Sequence, residues 1–232
     1  MKRVNRVLIA VLTVVLAVGM MMPAFAASKK TIWMPTKITV KEAGDDSTMS
    51  VNATYKYNKK GELLSDVLES PELDVKIKSK YNWNDKRTKI VSSSEKTYIG
   101  GELFDTNKAT YVYKNKYVIK VKYNGKLSSY KTIKNGRIVK VREYTEGKVD
   151  KVTTYKYKSG KLKSAKEVSN GKTVNSKFKT TYKNGRLKKM VETYGDSKIT
   201  YTITYKKFRV TKKQYNKIKR QTLNFGAVVG IK

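Results

Sequence analysis

Eleven cations crowd three short stretches in the second half of the chain. Lys156, Lys158, Lys161 and Lys163 flank one glycine-containing turn. Lys183, Arg186, Lys188 and Lys189 flank the next, and Lys206, Lys207 and Arg209 follow. Ammonium and guanidinium groups at this density attract polyanions and speed their encounter. Lys outnumbers Arg, which favours diffuse point-charge attraction over bidentate contacts that read geometry. The charge is uneven along the chain. Residues 107–232 carry 35 basic and 6 acidic residues, net +29, against 14 basic and 12 acidic residues, net +2, in residues 27–106. The whole chain has a formal net charge of +34.

Other chemistry is thinly supported. There is no His, the commonest general base and metal ligand, and no Cys, so thiol nucleophiles and zinc–thiolate sites are excluded. Paired carboxylates could hydrolyse glycosides, but the acids Asp45, Asp46, Asp66, Glu69, Glu72 and Asp74 are spaced as surface loops are. Asp45 and Asp46 near Glu42 read as a solvated turn rather than a calcium site. No phosphate-loop or dinucleotide fingerprint is present. No catalytic residue, metal ligand or cofactor is expected.

The elements that hold these cations read as strands. Val51, Ala53, Tyr55 and Tyr57 alternate with Asn52, Thr54 and Lys56. Tyr117, Ile119, Val121 and Tyr123 alternate with Val118, Lys120 and Lys122. Ile199, Tyr201, Ile203 and Tyr205 alternate with threonines. Successive strand side chains point to opposite faces, so one face is apolar and aromatic and the other is Lys and Thr. That is antiparallel sheet with one wet side.

A phrase recurs: an aromatic, a short polar turn, usually Gly, then Lys or Arg and an apolar residue. It reads YKYNKKGEL at Tyr55–Leu63, YKYKSGKL at Tyr155–Leu162 and TTYKNGRL at Thr180–Leu187, with a weaker copy TIKNGRI at Thr132–Ile138. The last aromatic or apolar residues before the turns are Tyr57, Trp83, Tyr113, Ile133, Tyr157, Tyr182 and Tyr205. Their spacings are 26, 30, 20, 24, 25 and 23 residues. A period near two dozen holds two strands and two turns and marks a repeat architecture. The expected fold is all-β: an antiparallel meander of about seven β-hairpins whose apolar face makes it a strongly curled sheet or a barrel-like one, the sequence leaving barrel and open sheet both open. Glu62–Glu69 is read as a strand over a short helix. Thr211 is placed to cap a helix over Lys212–Gln221, followed by the apolar tail LNFGAVVGIK. The charge step divides the chain into a near-neutral β region, 27–106, a basic hairpin region, 107–210, and a C-terminal helix and tail, 211–232.

The phrases YNKKGELL and TYKNGRLKK resemble the tyrosine-containing YD repeats of RHS-type bacterial surface and secreted proteins. The resemblance implies extended β structure and a non-catalytic scaffold at a bacterial surface. Residues 1–26 fit that address. Lys2, Arg3 and Arg6 open a signal peptide, Val7–Met22 is its apolar core, and Ala24-Phe25-Ala26 places cleavage before Ala27. The mature chain is then secreted or envelope-associated, and without disulfides its core must hold it.

The expected function is electrostatic adhesion, without catalysis, to an anionic polymer: teichoic acid, an acidic polysaccharide or a glycosaminoglycan. An anionic membrane surface is a further partner that the charge allows. Nucleic acid fits the charge alone, but the aromatics share the apolar strand face and so belong to the core. The alternatives are an interaction module that docks through its sheet face or C-terminal tail, and a glycan-processing enzyme.

Overall fold

The computed structural model describes residues 29–218, apart from 45–46, 88, 115–116, 136 and 217. The signal segment and the apolar tail lie outside the described residues. Fourteen strands follow in order: β1 (Lys29–Gly44), β2 (Ser47–Tyr57), β3 (Leu63–Ser70), β4 (Val75–Trp83), β5 (Ile90–Ile99), β6 (Glu102–Lys114), β7 (Tyr117–Tyr123), β8 (Lys126–Lys134), β9 (Arg137–Thr145), β10 (Lys148–Lys158), β11 (Lys161–Ser169), β12 (Lys172–Lys183), β13 (Arg186–Tyr194) and β14 (Ser197–Thr211). Each pairs antiparallel with its sequence neighbours, and β1 pairs with β14, so the meander closes into a barrel. Closure removes the open edges that an apolar-faced sheet would otherwise present. Of the segment Glu62–Glu69, all but Glu62 is the expected strand, within β3. The charge step near residue 106 falls inside β6 rather than at a break.

Alternation sets what lines the barrel. Ile38 and Val40 on β1, Val51 and Ala53 on β2, Tyr155 on β10, Met190 on β13, and Tyr201 and Ile203 on β14 are buried in one cluster. Burying a side chain of this size stabilises by roughly 1.5–3 kcal/mol. The inner wall is not uniformly apolar, however. Glu42, Asp66, Glu95, Glu143, Glu167 and Glu192 fall in phase with inward residues such as Val40, Leu68, Ser93, Val141, Ala165 and Met190. Tyrosines satisfy four of them. Tyr81 donates to Asp66 at 2.5 Å, Tyr123 to Glu95 at 3.1 Å, Tyr201 to Glu192 at 2.8 Å, and Tyr194 to Glu42. The buried Lys151 ammonium lies 2.7 Å from Glu143 and 3.8 Å from Glu167. Burial pushes the Asp66 carboxyl up to about 6, and it raises Glu95 and Glu192 as well. Among the described residues at least six acids are thus turned inward, together with the buried Lys131 and Lys151, while most of the other lysines keep some contact with water.

The barrel has two rims. One, the phrase rim, carries the turns inside the hairpin phrases (β2–β3, β4–β5 and so on to β12–β13). Past this rim β1 and β14 continue alone. Pairing of β1 to β2 ends at Lys37–Thr54 and of β14 to β13 at Lys189–Thr202, yet β1 and β14 stay paired to Lys29–Thr211. This two-stranded ribbon leads straight into helix from Lys212. Thr211 and Gln214 cap it reciprocally: the Gln214 amide donates to Thr211 Oγ1 at 3.2 Å, and the Thr211 amide donates to Gln214 Oε1 at 2.9 Å. Ile218 is buried with Ile32, Met34 and Val210, against Tyr57, Phe208 and Tyr215.

Candidate functional site: the basic rim

The recurring phrase builds the rim from four parts. The first is the turn. Ser159-Gly160 and Asn184-Gly185 have φ of 49° and 78°, and 51° and 72°, the doubly left-handed pair that a two-residue hairpin needs. The second is a bulge just after the turn. Tyr157 faces Leu162 but Lys156 faces Ser164, leaving Lys163 extra. Tyr182 faces Leu187 but Thr181 faces Lys189, leaving Lys188 extra. The same shift sits in the β2–β3, β4–β5, β6–β7 and β8–β9 hairpins, always at the aromatic or apolar residue that closes the phrase.

The third part follows from the second. A bulge disrupts the ladder and leaves a backbone group to be satisfied elsewhere. Tyr113 Oη donates to the Ile90 carbonyl at 2.6 Å, Tyr157 to Ile138 at 2.8 Å, and Tyr205 to Leu187 at 2.8 Å. Trp83 Nε1 donates to Leu63 at 3.0 Å. Each acceptor is the apolar residue after the previous phrase's turn. Tyr57 plays the same part toward the Pro35 carbonyl of β1, at 2.9 Å. The fourth part is the cation before that apolar residue, which lies over the next aromatic ring: Lys89 over Tyr113 at 5.1 Å, Arg137 over Tyr157 at 5.6 Å and Lys161 over Tyr182 at 5.2 Å. Aromatic, glycine, cation and apolar residue are therefore linked from one unit to the next around the barrel.

This geometry sorts the eleven sequence-predicted cations. All lie at or next to the phrase rim on β10 to β14, which at ~4.8 Å per strand covers roughly 19 Å of wall. All are exposed except Arg186, which is half-buried, and none is in an ion pair among the described residues. Lys156, Lys158, Lys183 and Lys189 stand on the outer face, with the bulge residues Lys163 and Lys188 beside them. Lys161 is engaged over Tyr182, Arg186 over Trp33 and Lys206 over Phe208. Lys206 also lies on the other face of the β1–β14 ribbon from Lys207 and Arg209. The first four bulges place Leu64, Val91, Ile119 and Val139 where Lys163 and Lys188 stand. The rim thus changes from apolar to cationic at one structural position as it passes to β11 and β13.

Three residues were missed by the sequence reading. Lys177 and Lys179 continue the exposed lysine row along β12, and their alternation with Phe178 was the available signal. Trp33 lies beyond any phrase, and nothing local ties it to Arg186.

Turn, bulge, aromatic latch and cation define a closed antiparallel β-barrel with a cationic rim. No protein-family model matches the chain, and no curated protein matches it. Among solved structures, a porin-like protein from Bacteroides uniformis is similar over 74% of this chain and 98% of that one, with 15% sequence identity and a TM-score of 0.47.

Proposed function

We propose that this protein is an exported, non-catalytic barrel that holds an anionic polymer of the cell envelope or extracellular matrix on the basic rim of β10–β14. One observation carries the reading. The inner wall takes up carboxylates, while Lys156, Lys158, Lys163, Lys183, Lys188 and Lys189 stand exposed and without ion pairs, among the described residues, on adjacent strands. Adjacent strands lie closer than the ~8 Å screening length at physiological salt, so neighbouring lysines act on a ligand together.

The outer wall supports an aqueous setting. Lys78, Lys166 and Lys177 are exposed near the middle of β4, β11 and β12. A lysine on the lipid face of a membrane barrel costs about 2–4 kcal/mol at the bilayer midplane. The barrel is therefore read as standing in water beside the envelope. Its tyrosines support charge over stacking: a cation already lies over the Tyr157 ring and another over the Tyr182 ring, and Tyr205 packs on the core with its hydroxyl on the Leu187 carbonyl. The test is retention on matrices bearing teichoic acid or heparin. The protein is expected to bind at low salt and elute as salt rises; retention that salt does not weaken overturns the reading.

A further inference from the structure

In the last hairpin the repeating pattern breaks. By its place in the phrase, Arg186 corresponds to Lys89, Arg137 and Lys161, and its counterpart ring is Tyr205. Its guanidinium instead lies 3.9 Å from the ring centroid of Trp33, closer than any of the other three cations to its ring. Trp33 sits on the β1 strand of the ribbon, directly opposite Lys207 on β14, and Thr31 is opposite Arg209. Directly opposed residues share a face, and residues two apart along a strand share it too. Trp33, Lys207 and Arg209 therefore occupy one face of the ribbon, and Ile32, Phe208 and Val210 the other.

Arg186 thus lies over an indole whose face of the ribbon carries two further cations. Among the described residues none of the three cations is in an ion pair. Stacking uses the flat face of a guanidinium and leaves its edge N–H groups free to donate. An Arg held by its face is also fixed in direction, unlike the exposed lysines of the rim, so less freedom is lost when it binds. A fixed fork flanked by two further charges suits a tetrahedral oxyanion, which an Arg fork can bind through two parallel hydrogen bonds.

We propose that Arg186, stacked on Trp33 and flanked by Lys207 and Arg209, is the anchoring subsite of the basic rim and takes one phosphate group of the bound polymer. The proposal rests on the polymer-binding reading above and adds to it a specific point of attachment. The rim lysines Lys156, Lys158, Lys163, Lys183, Lys188 and Lys189 then hold the remainder of the polymer by diffuse attraction, and the Arg186 subsite sets where it is held.

Trp33 is a built-in reporter, since the chain has only two tryptophans. The experiment titrates full-length Trp83→Phe protein with inorganic polyphosphate, following indole emission, with calorimetry as an independent measure of binding. A parallel arm uses heparin, whose oxyanions are sulfates. The Trp33 signal is expected to saturate together with the calorimetric isotherm. Arg186→Lys, which keeps the charge but loses the planar fork, is expected to weaken polyphosphate binding about tenfold, the scale of one charged hydrogen bond. Lys166→Gln, on β11 away from the subsite, is expected to change it far less. If Trp83→Phe does not fold, the signal is taken as the difference between the unaltered chain and Trp33→Phe. If Arg186→Lys does not fold, Lys207→Gln replaces it. Polyphosphate binding of unchanged affinity in the Arg186 variant, with a silent Trp33, overturns the subsite and leaves the polymer reading standing. No binding by the unaltered chain to either polymer overturns both. Binding of heparin with a Trp33 response, but not of polyphosphate, overturns the assignment to phosphate.

Discussion

The Tyr157 hydroxyl donates to the Ile138 carbonyl, 2.8 Å away on the neighbouring strand, and the guanidinium of the preceding residue, Arg137, lies over the Tyr157 ring. One aromatic thus reads two consecutive residues of the preceding phrase, the cation through its ring face and the apolar residue through its hydroxyl. The same pair of contacts joins Tyr113 to Lys89 and Ile90. Tyr157→Phe keeps the ring and removes only the donor. It is expected to lower stability by about 1 kcal/mol, the usual net worth of one hydrogen bond, seen as a lower urea midpoint with an unchanged slope. An unchanged midpoint contradicts the latch.

A second relationship ties the C-terminal helix to the barrel. Gly61 sits in the β2–β3 turn with φ of 73°, and a Cβ there would meet Ile218 Cδ1 at 2.7 Å. Gly61→Ala is therefore expected to destabilise by roughly 1–2 kcal/mol from the left-handed backbone alone. It should also speed amide exchange over Lys212–Asn216, because the added carbon pushes Ile218 from its seat. Exchange there that matches the unaltered chain contradicts the contact.

The inward carboxylates make stability depend on pH. Asp66 rises from 3.8 to about 6 because burial disfavours its charged form. Its folded state therefore binds a proton more tightly than the unfolded chain does. The resulting stability is fully present below about pH 4 and is lost as pH climbs through about 6, a change of about 3 kcal/mol. Asp66→Asn should flatten this part of the stability curve. An equally steep curve in the variant would place the titration elsewhere.

Lys131 is the opposite case. It is buried on β8, and desolvation lowers its ammonium from 10.5 to about 8. A lowered amine favours the folded state only where it is neutral, so its penalty grows as pH falls from above 10 to about 8 and is complete at pH 7. Lys131→Met removes the charge and keeps a side chain of similar length. Chemical denaturation at pH 7 is expected to show a gain of up to about 3 kcal/mol, shrinking toward pH 10. A loss of stability at pH 7 contradicts this account.

Much of this fold was legible because turn and strand signals are local. Asn184-Gly185 announces a hairpin to its immediate neighbours, and Ile199–Tyr205 announces a strand by alternation alone. Curling was legible but closure was not, since the pairing of Ile38 with Ile203 links residues far apart in sequence. The bulges were hidden because one extra residue, such as Lys163, leaves composition unchanged and shifts only the register. The inward acids stand in plain phase with Val141 and Met190, but counting charge along the chain does not separate one face from the other. The basic cluster was legible as a set of residues. Its division into exposed cations and cations lying over rings depends on neighbouring strands, as Arg186 and Trp33 show.

The central claim is that exposed lysines on this rim hold a polyanion by charge. The most direct measurement is the salt dependence of heparin or teichoic acid affinity between about 50 mM and about 200 mM salt, for the unaltered chain and for Lys163→Thr/Lys188→Thr. The account predicts a steep linear fall of log affinity with log salt, and a shallower fall for the variant, whose two lost cations release fewer counterions. Affinity that is flat across this range, or a slope the double substitution leaves unaltered, contradicts it.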